Sequence, residues 1–337
     1  MTSPLPLRFG ILGAANIARA FAAGVAPSTT VRVVALASRD IAKGRSFAND
    51  IGVGCVHGSY EALLSDPEVD AVYIPLPNNL HAEWAIRAAQ AGKHVLCEKP
   101  LAVNSCEARA MFAAARENGV FLAEAYPYRA QPQTLKLRQL LAEGAIGPVQ
   151  LIQASFGCTF TNPANIRLDP AMGGGALLDA GSYAVSFVRM VAGELPKRVL
   201  ASALWTDGGV TRTVAAMLEF ASGLRAQLSC SFSTAYHRHA LIAGQSGILE
   251  TTFLNHPPEG GEAVIHLRRG LRIDTVRETI ATPGPNGFLA EAEEFARGIT
   301  HGRQCWNGST EQESVDTLAI IEAILQSIEL DGWIGMN

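Results

Sequence analysis

Short apolar runs alternate with helical patterns along the first third of the chain. Leu7–Leu12 predicts a strand, Asn16–Ala26 a small-residue helix, Val31–Ala37 a strand and Ile41–Asp50 a helix. The alternation resumes with a strand at Asp70–Pro75 and a helix at Leu80–Ala91, where Trp84, Ala88 and Ala91 recur at helical spacing. A strand at His94–Cys97, a helix at Ser105–Asn118 and a strand at Val120–Glu124 follow. Gly92 and Gly119 stand where helix C-caps are expected. This order predicts a doubly wound parallel sheet of the α/β class. Ligands of such sheets bind beyond the carboxyl ends of the strands.

The second half reads differently. Tyr126–Pro132 looks like a crossover, Gln133–Glu143 a helix, the stretch from Gly147 to Thr159 a strand, and Thr161–Gly175 a loop rich in Pro, Asn and Gly. A helix is expected over Ala176–Ala192. After Pro196 the pattern is mostly β, with segments near 197–206, 210–220, 223–233, 237–243, 247–253 and 263–275, then helices near 287–300 and 311–330. Short turns such as Asp207-Gly208-Gly209 and Ala221-Ser222-Gly223 predict antiparallel pairing. The expected organisation is a Rossmann domain over 1–124 and an α+β domain over 125–337 with an open, mostly antiparallel sheet. A sheet covered by helices on one face needs a partner on the other. A homodimer or tetramer built through the C-terminal sheet is therefore expected.

Composition narrows the function. The 337 residues carry a net charge of -4. That balance gives no electrostatic footprint for nucleic acid or an anionic membrane. No apolar run approaches the roughly 20 residues of a membrane helix, and Met1–Arg8 lacks the pattern of a signal peptide. Six cysteines (55, 97, 106, 158, 230 and 305) show no CxxC or Cys/His cluster at ligand spacing, so reduced thiols and no metal are expected. A soluble cytoplasmic protein acting on a small molecule is the expectation.

The turn Gly10-x-x-Gly13-x-Ala15-x-x-Ala18 follows a strand and opens a helix. It is a variant of the dinucleotide fingerprint, with Ala15 in place of the second glycine. Backbone N–H groups at Ala15, Asn16 and Ile17 are candidates to face a pyrophosphate. The second strand ends in Ser38-Arg39-Asp40. A hydroxyl and a guanidinium suit a 2′-phosphate, so NADP is favoured. Asp40, one residue on, would serve NAD, and both charged residues could simply open a solvated helix. The loop after the third strand adds Pro75, Leu76, Asn78 and His81 as cofactor-facing candidates, with Asn79 a possible helix N-cap.

Glu98-Lys99-Pro100 places a lysine at the carboxyl edge of the parallel sheet. Asp179 and Tyr183 lie four residues apart and so share a helix face, after Met172-Gly173-Gly174-Gly175. Tyrosine is a useful base only when its phenolate is stabilised, and a nearby lysine does this. Lys99 and Tyr183 are therefore a candidate proton-transfer pair, with Asp179 orienting the lysine or binding a neighbouring hydroxyl. The alternative for Tyr183 is a core aromatic among Ala180, Ala184 and Phe187.

The turn at 10–18, the Glu98-Lys99-Pro100 step and the Asp179/Tyr183 helix together resemble the glucose-fructose oxidoreductase / inositol dehydrogenase family over about residues 7–330. Tyrosine at 183, the stretch Glu124–Arg129 and the run Asn165–Pro170 resemble its branch of dimeric dihydrodiol dehydrogenases, NADP-dependent D-xylose dehydrogenases and sugar 3-ketoreductases. The resemblance implies proton transfer by Lys99 and Tyr183, assistance at the substrate by Asp179, cofactor contacts that include Glu98, and Arg167 near the nicotinamide. It implies a sugar or related polyol as substrate, most plausibly an aldose oxidised at C1, with keto-sugar reduction, trans-dihydrodiol oxidation and a non-catalytic sensing role as alternatives. The first strand begins almost at the start of the chain, so an exchangeable NADP is expected. His237, Arg238 and His239 read as loop residues able to meet a nucleotide-sugar diphosphate.

Overall fold

A computed structural model describes residues 5–258 and 261–336. The chain opens with β1 (Leu7–Leu12), α1 (Asn16–Val25), β2 (Val31–Ala37), α2 (Ile41–Asp50), β3 (Cys55–His57), α3 (Tyr60–Leu64), β4 (Ala71–Ile74), α4 (His81–Gln90), β5 (His94–Glu98), α5 (Ser105–Glu117) and β6 (Leu122–Ala125). It continues through α6 (Pro127–Ala130), α7 (Pro132–Ala142), β7 (Val149–Thr159), α8 (Ser182–Ala192), β8 (Pro196–Trp205), β9 (Thr211–Phe220), β10 (Arg225–Ser231) and β11 (Ser233–Gly244). The last elements are β12 (Gly247–Thr251), β13 (Val264–Arg269), β14 (Arg277–Ala281), α9 (Gly287–His301), α10 (Glu311–Leu330) and β15 (Ile334–Gly335).

The chain divides into two compact units. The first holds residues up to Ala102, Cys106–Gln131 and Pro285–Glu311; the second holds Val103–Ser105, Pro132–Gly284 and Gln312 onward. This differs from a single division at 124/125, because residues 125–131 and 285–311 join the first unit.

In the first unit six parallel strands run in the order β3-β2-β1-β4-β5-β6. This is the doubly wound arrangement, with its topological switch between β1 and β4. All four residues of β4, Ala71-Val72-Tyr73-Ile74, are buried, as expected for a sheet covered on both faces. Phe21 of α1 stacks on Tyr73 with ring centroids 3.9 Å apart, and Phe9 meets Phe21 edge-on at 5.6 Å. Helix α9 brings Phe288 and Phe295 into the same cluster. Those two rings explain why a segment so late in the chain belongs here. Burying a Phe side chain contributes about 1.5–3 kcal/mol. The sequence pattern does not predict β3 or α3. β3 has three residues between Gly54 and Gly58, too short to show alternation.

The second unit is a nine-stranded sheet ordered β14-β13-β12-β11-β7-β10-β9-β8-β15. Its ladders are antiparallel except for β7 with β10. The short strands β14 and β15 were likewise unread. Along β9 the side chains alternate, with Val214, Ala216, Leu218 and Phe220 buried and Ala215 and Met217 exposed. Helix α8 packs against β7 and β10 and covers the buried face. The other face carries Gln153, Ala215, Met217 and Gln227 into the open. Among the described residues no helix is long and apolar enough to cross a membrane.

Candidate active site

The candidate cofactor residues at 10–17, 38–40, 75–81 and 98–99 lie in the first unit. Gly13 sits at φ 109°, a left-handed conformation that favours glycine. A Cβ there would also lie 2.9 Å from Leu76 Cδ2, so the β1–α1 turn and the loop after β4 approach each other closely. Helix α1 starts at Asn16 with no side-chain cap and no acidic residue in its first turn. Its N-terminal N–H groups and dipole are thus available for an anion. The positive-φ Gly13 and the uncapped helix start at Ala15, Asn16 and Ile17 fit a dinucleotide, whereas Gly10 lies against the α3 side, where an added Cβ would come within 2.7 Å of Leu63 Cδ2.

At the end of β2, Ser38 is buried and its Cβ faces Gly44 of α2, where an added Cβ would come within 2.8 Å. Arg39 is exposed. Asp40 caps α2, its carboxylate accepting the Lys43 N–H at 3.0 Å. One oxygen of this carboxylate is engaged by the helix it starts, while the Arg39 guanidinium next to it is in the open.

The loop after β4 divides its candidates. Pro75 is buried, and Leu76 and Asn78 are partly exposed. Asn79 is not a helix cap, since Leu80 precedes the first residue of α4. His81 is fully buried, one ring nitrogen 2.9 Å from the Pro100 carbonyl and the other 2.8 Å from the Leu76 carbonyl. Burial, and secondarily the Lys99 cation, hold this imidazole below its usual pKa despite the two carbonyls. A neutral ring donates to one carbonyl at a time. His81 thus positions the Leu76 and Pro100 backbone, which corrects its reading as a residue facing the cofactor.

Lys99 is half-buried at the carboxyl end of β5, and its peptide bond to Pro100 is cis. Glu98 beside it is buried, accepting hydrogen bonds from the Tyr73 hydroxyl and from the Lys99 N–H at 3.3 Å. Glu124 accepts the Leu101 N–H at 2.9 Å. Burial first, then the Glu98 and Glu124 charges, push the Glu291 carboxyl of α9 well above the carboxylate range. Glu98, Glu124 and Glu291 thus form a buried acidic cluster, which the Lys99 backbone N–H meets through Glu98.

The candidates Asp179, Tyr183 and Arg167 lie in the second unit. Asp179 lies in a π-helical turn, Leu177–Gly181, that runs directly into α8. Such turns recur at functional sites. Just before it, Gly174 lets the chain pack onto the preceding loop: a Cβ there would fall 2.6 Å from the Arg167 carbonyl and 2.7 Å from that of Asp169. Asp179 Oδ2 pairs with Arg167 Nε at 3.1 Å. The structure thus joins Asp179 to Arg167 within one unit.

Tyr183 is 4% exposed at the start of α8. Its hydroxyl accepts a hydrogen bond from Asn255 Nδ2 at 2.9 Å. The Arg238 guanidinium lies 3.8 Å from the centre of its ring, and Arg238 also donates to Asn255 Oδ1 at 3.2 Å. Phe156 packs edge-on at 5.5 Å. A donor on the phenol oxygen and a cation on the ring both favour the phenolate. A tyrosine that was only core filler would need neither. Arg238 is not a loop residue: it is buried on β11, while His237 and His239, its neighbours, point to the opposite face and are exposed. That alternation corrects the reading of these three as a diphosphate site. Asn255, 72 residues from Tyr183, gave no signal in the sequence.

Two family comparisons cover most of the chain. Residues 7–126 match the oxidoreductase family with an NAD-binding Rossmann fold, GFO/IDH/MocA, and residues 134–250 match the GFO/IDH/MocA C-terminal domain. A D-xylose 1-dehydrogenase (NADP(+)) of Haloferax volcanii is 36% identical over 326 residues, 96% of this chain and 98% of that protein. A trans-1,2-dihydrobenzene-1,2-diol dehydrogenase of Xenopus laevis is 35% identical over 94% of each chain. A 3-ketoreductase from Actinomadura kijaniata, solved with NADP and TDP-benzene, superimposes with a TM-score of 0.86 at 32% identity, over 96% of this chain and 98% of that one. With its glycine turn and its Tyr183 helix on one chain, this protein belongs to the GFO/IDH/MocA family and is an NAD(P)-dependent oxidoreductase.

Proposed function

We propose that the protein is an NADP-dependent dehydrogenase of a sugar, oxidising C1 of a pyranose aldose such as xylose or glucose to the lactone. The observation that carries this is Tyr183, buried with Asn255 on its oxygen and the Arg238 cation on its ring. A phenolate held there accepts the proton of the substrate hydroxyl as it is oxidised, and in reverse the phenol returns it. Bound NADP+ supplies the acceptor for the hydride that leaves the same carbon. Lys99 supports the phenolate with its charge and exchanges the proton onward. Asp179, fixed by Arg167, accepts a hydrogen bond from a neighbouring sugar hydroxyl. Arg39 and Ser38 recognise the 2′-phosphate. The NADP preference agrees with the cofactor named for the xylose dehydrogenase and found in the ketoreductase structure.

Variants of that ketoreductase with one lysine or one tyrosine replaced have also been solved. The two positions lie as far apart in its chain as Lys99 and Tyr183 do here, which supports the assignment of the pair. The same relative supplies the second reading, reduction of a keto-sugar by the same residues run backwards. A panel of xylose, glucose, galactose and a trans-dihydrodiol, followed by nicotinamide absorbance with NADP+, separates the readings. Turnover with an aldose supports the first. Activity confined to NADPH-driven reduction of a keto-sugar supports the second.

The open face of the second sheet is assigned to a second copy of the chain. Met217 is 46% exposed at the middle of that face, between Leu200 and Gln227 in register. Met217→Lys is expected to lower the mass seen in sedimentation if this face forms the contact.

A further inference from the structure

The edge of the first sheet brings together three side chains that the oxidoreductase chemistry does not use. Cys55 and His57 are two residues apart on β3 and so project to the same face. Asp66 follows α3 and meets them. His57 Nε2 lies 2.9 Å from Asp66 Oδ2 and 3.4 Å from Cys55 Sγ, and Sγ lies 3.9 Å from Oδ2. All three donor atoms fall within 4.8 Å of one another. Ligand atoms at tetrahedral angles around zinc, with Zn–S near 2.3 Å and Zn–N or Zn–O near 2.0–2.2 Å, sit about 3.4–3.6 Å apart. The observed triangle departs from that by about half an ångström or less.

We propose that Cys55 Sγ, His57 Nε2 and Asp66 Oδ2 bind one Zn2+ ion, with the fourth tetrahedral position left to a solvent molecule. A thiolate, an imidazole and a single carboxylate form a borderline-soft donor set suited to zinc and poorly suited to magnesium or calcium. A His–Asp hydrogen bond alone would account for the 2.9 Å contact. Strand periodicity adds the Cys55 sulfur on the same side, so that three donor atoms of different chemistry converge on one point.

The supporting shell is also in place. Asp66 Oδ1 accepts the Glu68 N–H at 2.8 Å, which turns Oδ2 toward the site. The Lys93 ammonium is used on the Asp66 and Val69 carbonyls, at 2.7 Å each. The His57 and Asp66 side chains are only 20% and 14% exposed, so the donors are largely held by packing, while Cys55 opens to solvent. The backbone links this edge to the cofactor end of β2, since the His57 carbonyl accepts the Ser38 N–H at 3.1 Å.

The test uses the full-length, tag-free, chelator-treated and reduced protein. Zn2+ is titrated against a chromophoric competitor, and Co2+ is added separately to read thiolate charge-transfer absorption. One equivalent is expected, with the cobalt–thiolate band present. Cys55→Ser is expected to abolish that band, and Asp66→Asn to weaken Zn2+ binding by about 10–100-fold. Zn2+ should also shield Cys55 from alkylation while leaving Cys106, another exposed thiol, reactive. Both variants conserve volume, and thermal melting verifies that they fold. Absence of stoichiometric binding, or equal binding by folded Cys55→Ser, would overturn the proposal.

Discussion

The two units solve the problem of holding a ligand in opposite ways. In the first, the proposed ligand site rests on backbone: a positive-φ Gly13, an uncapped α1 and a loop fixed by buried His81. In the second, it rests on side chains gathered from distant elements: Tyr183 from α8, Arg238 from β11 and Asn255 beyond β12. A phosphate group is the same on every dinucleotide, so a short local motif suffices for it. A proton must be taken from one chosen hydroxyl, and this requires a base whose surroundings are set by several elements. The contrast explains why the first site is compact in sequence and the second is scattered.

Removing a reacting group should have the largest effect. Lys99→Ala is expected to lower kcat by about 100-fold or more while leaving NADPH binding within a few-fold, since general acid–base groups typically contribute 10²–10⁴-fold. Equal kcat would remove Lys99 from the chemistry. Next comes the cofactor side. Arg39→Ala should weaken NADP+ by about 10–100-fold and leave NAD+ almost unchanged, the loss expected for one hydrogen bond to a charged group. Titration by nicotinamide fluorescence reads both constants.

A smaller effect should appear in stability. The Glu291 carboxyl is held above its ordinary value, so the folded protein keeps a proton that the unfolded chain releases. Its contribution is fully present below the unfolded glutamate value and is lost as pH rises toward the folded one. Glu291→Gln should therefore unfold at a higher denaturant concentration than the wild type near neutral pH, with the gap closing in acid. A gap that is constant across pH would mean that the carboxyl is already ionised in the fold.

What the sequence revealed follows the same division. The β1–α1 turn, the alternation through β6 apart from β3 and α3, and the lysine after β5 are local patterns that the structure places as the sequence pattern expects. Tyr183 was legible as a residue, but its partners were not, because Arg238 and Asn255 reach it only through the register of the second sheet and the loop after β12. The return of residues 285–311 to the first unit was equally hidden, since an amphipathic helix does not state which core its phenylalanines join. Cys55, His57 and Asp66 escaped notice for a related reason. Their strand is three residues long, and the third ligand arrives by way of a five-residue helix.

The most direct test of the account is one preparation of Tyr183→Phe, measured for both NADPH affinity and turnover of the best aldose in the panel. The substitution removes the hydroxyl that Asn255 holds and leaves the ring beneath Arg238. The account predicts unchanged NADPH affinity and a fall in kcat of about 100-fold to 10,000-fold. Turnover close to that of the wild type would contradict the assignment of Tyr183 as the residue that moves the proton.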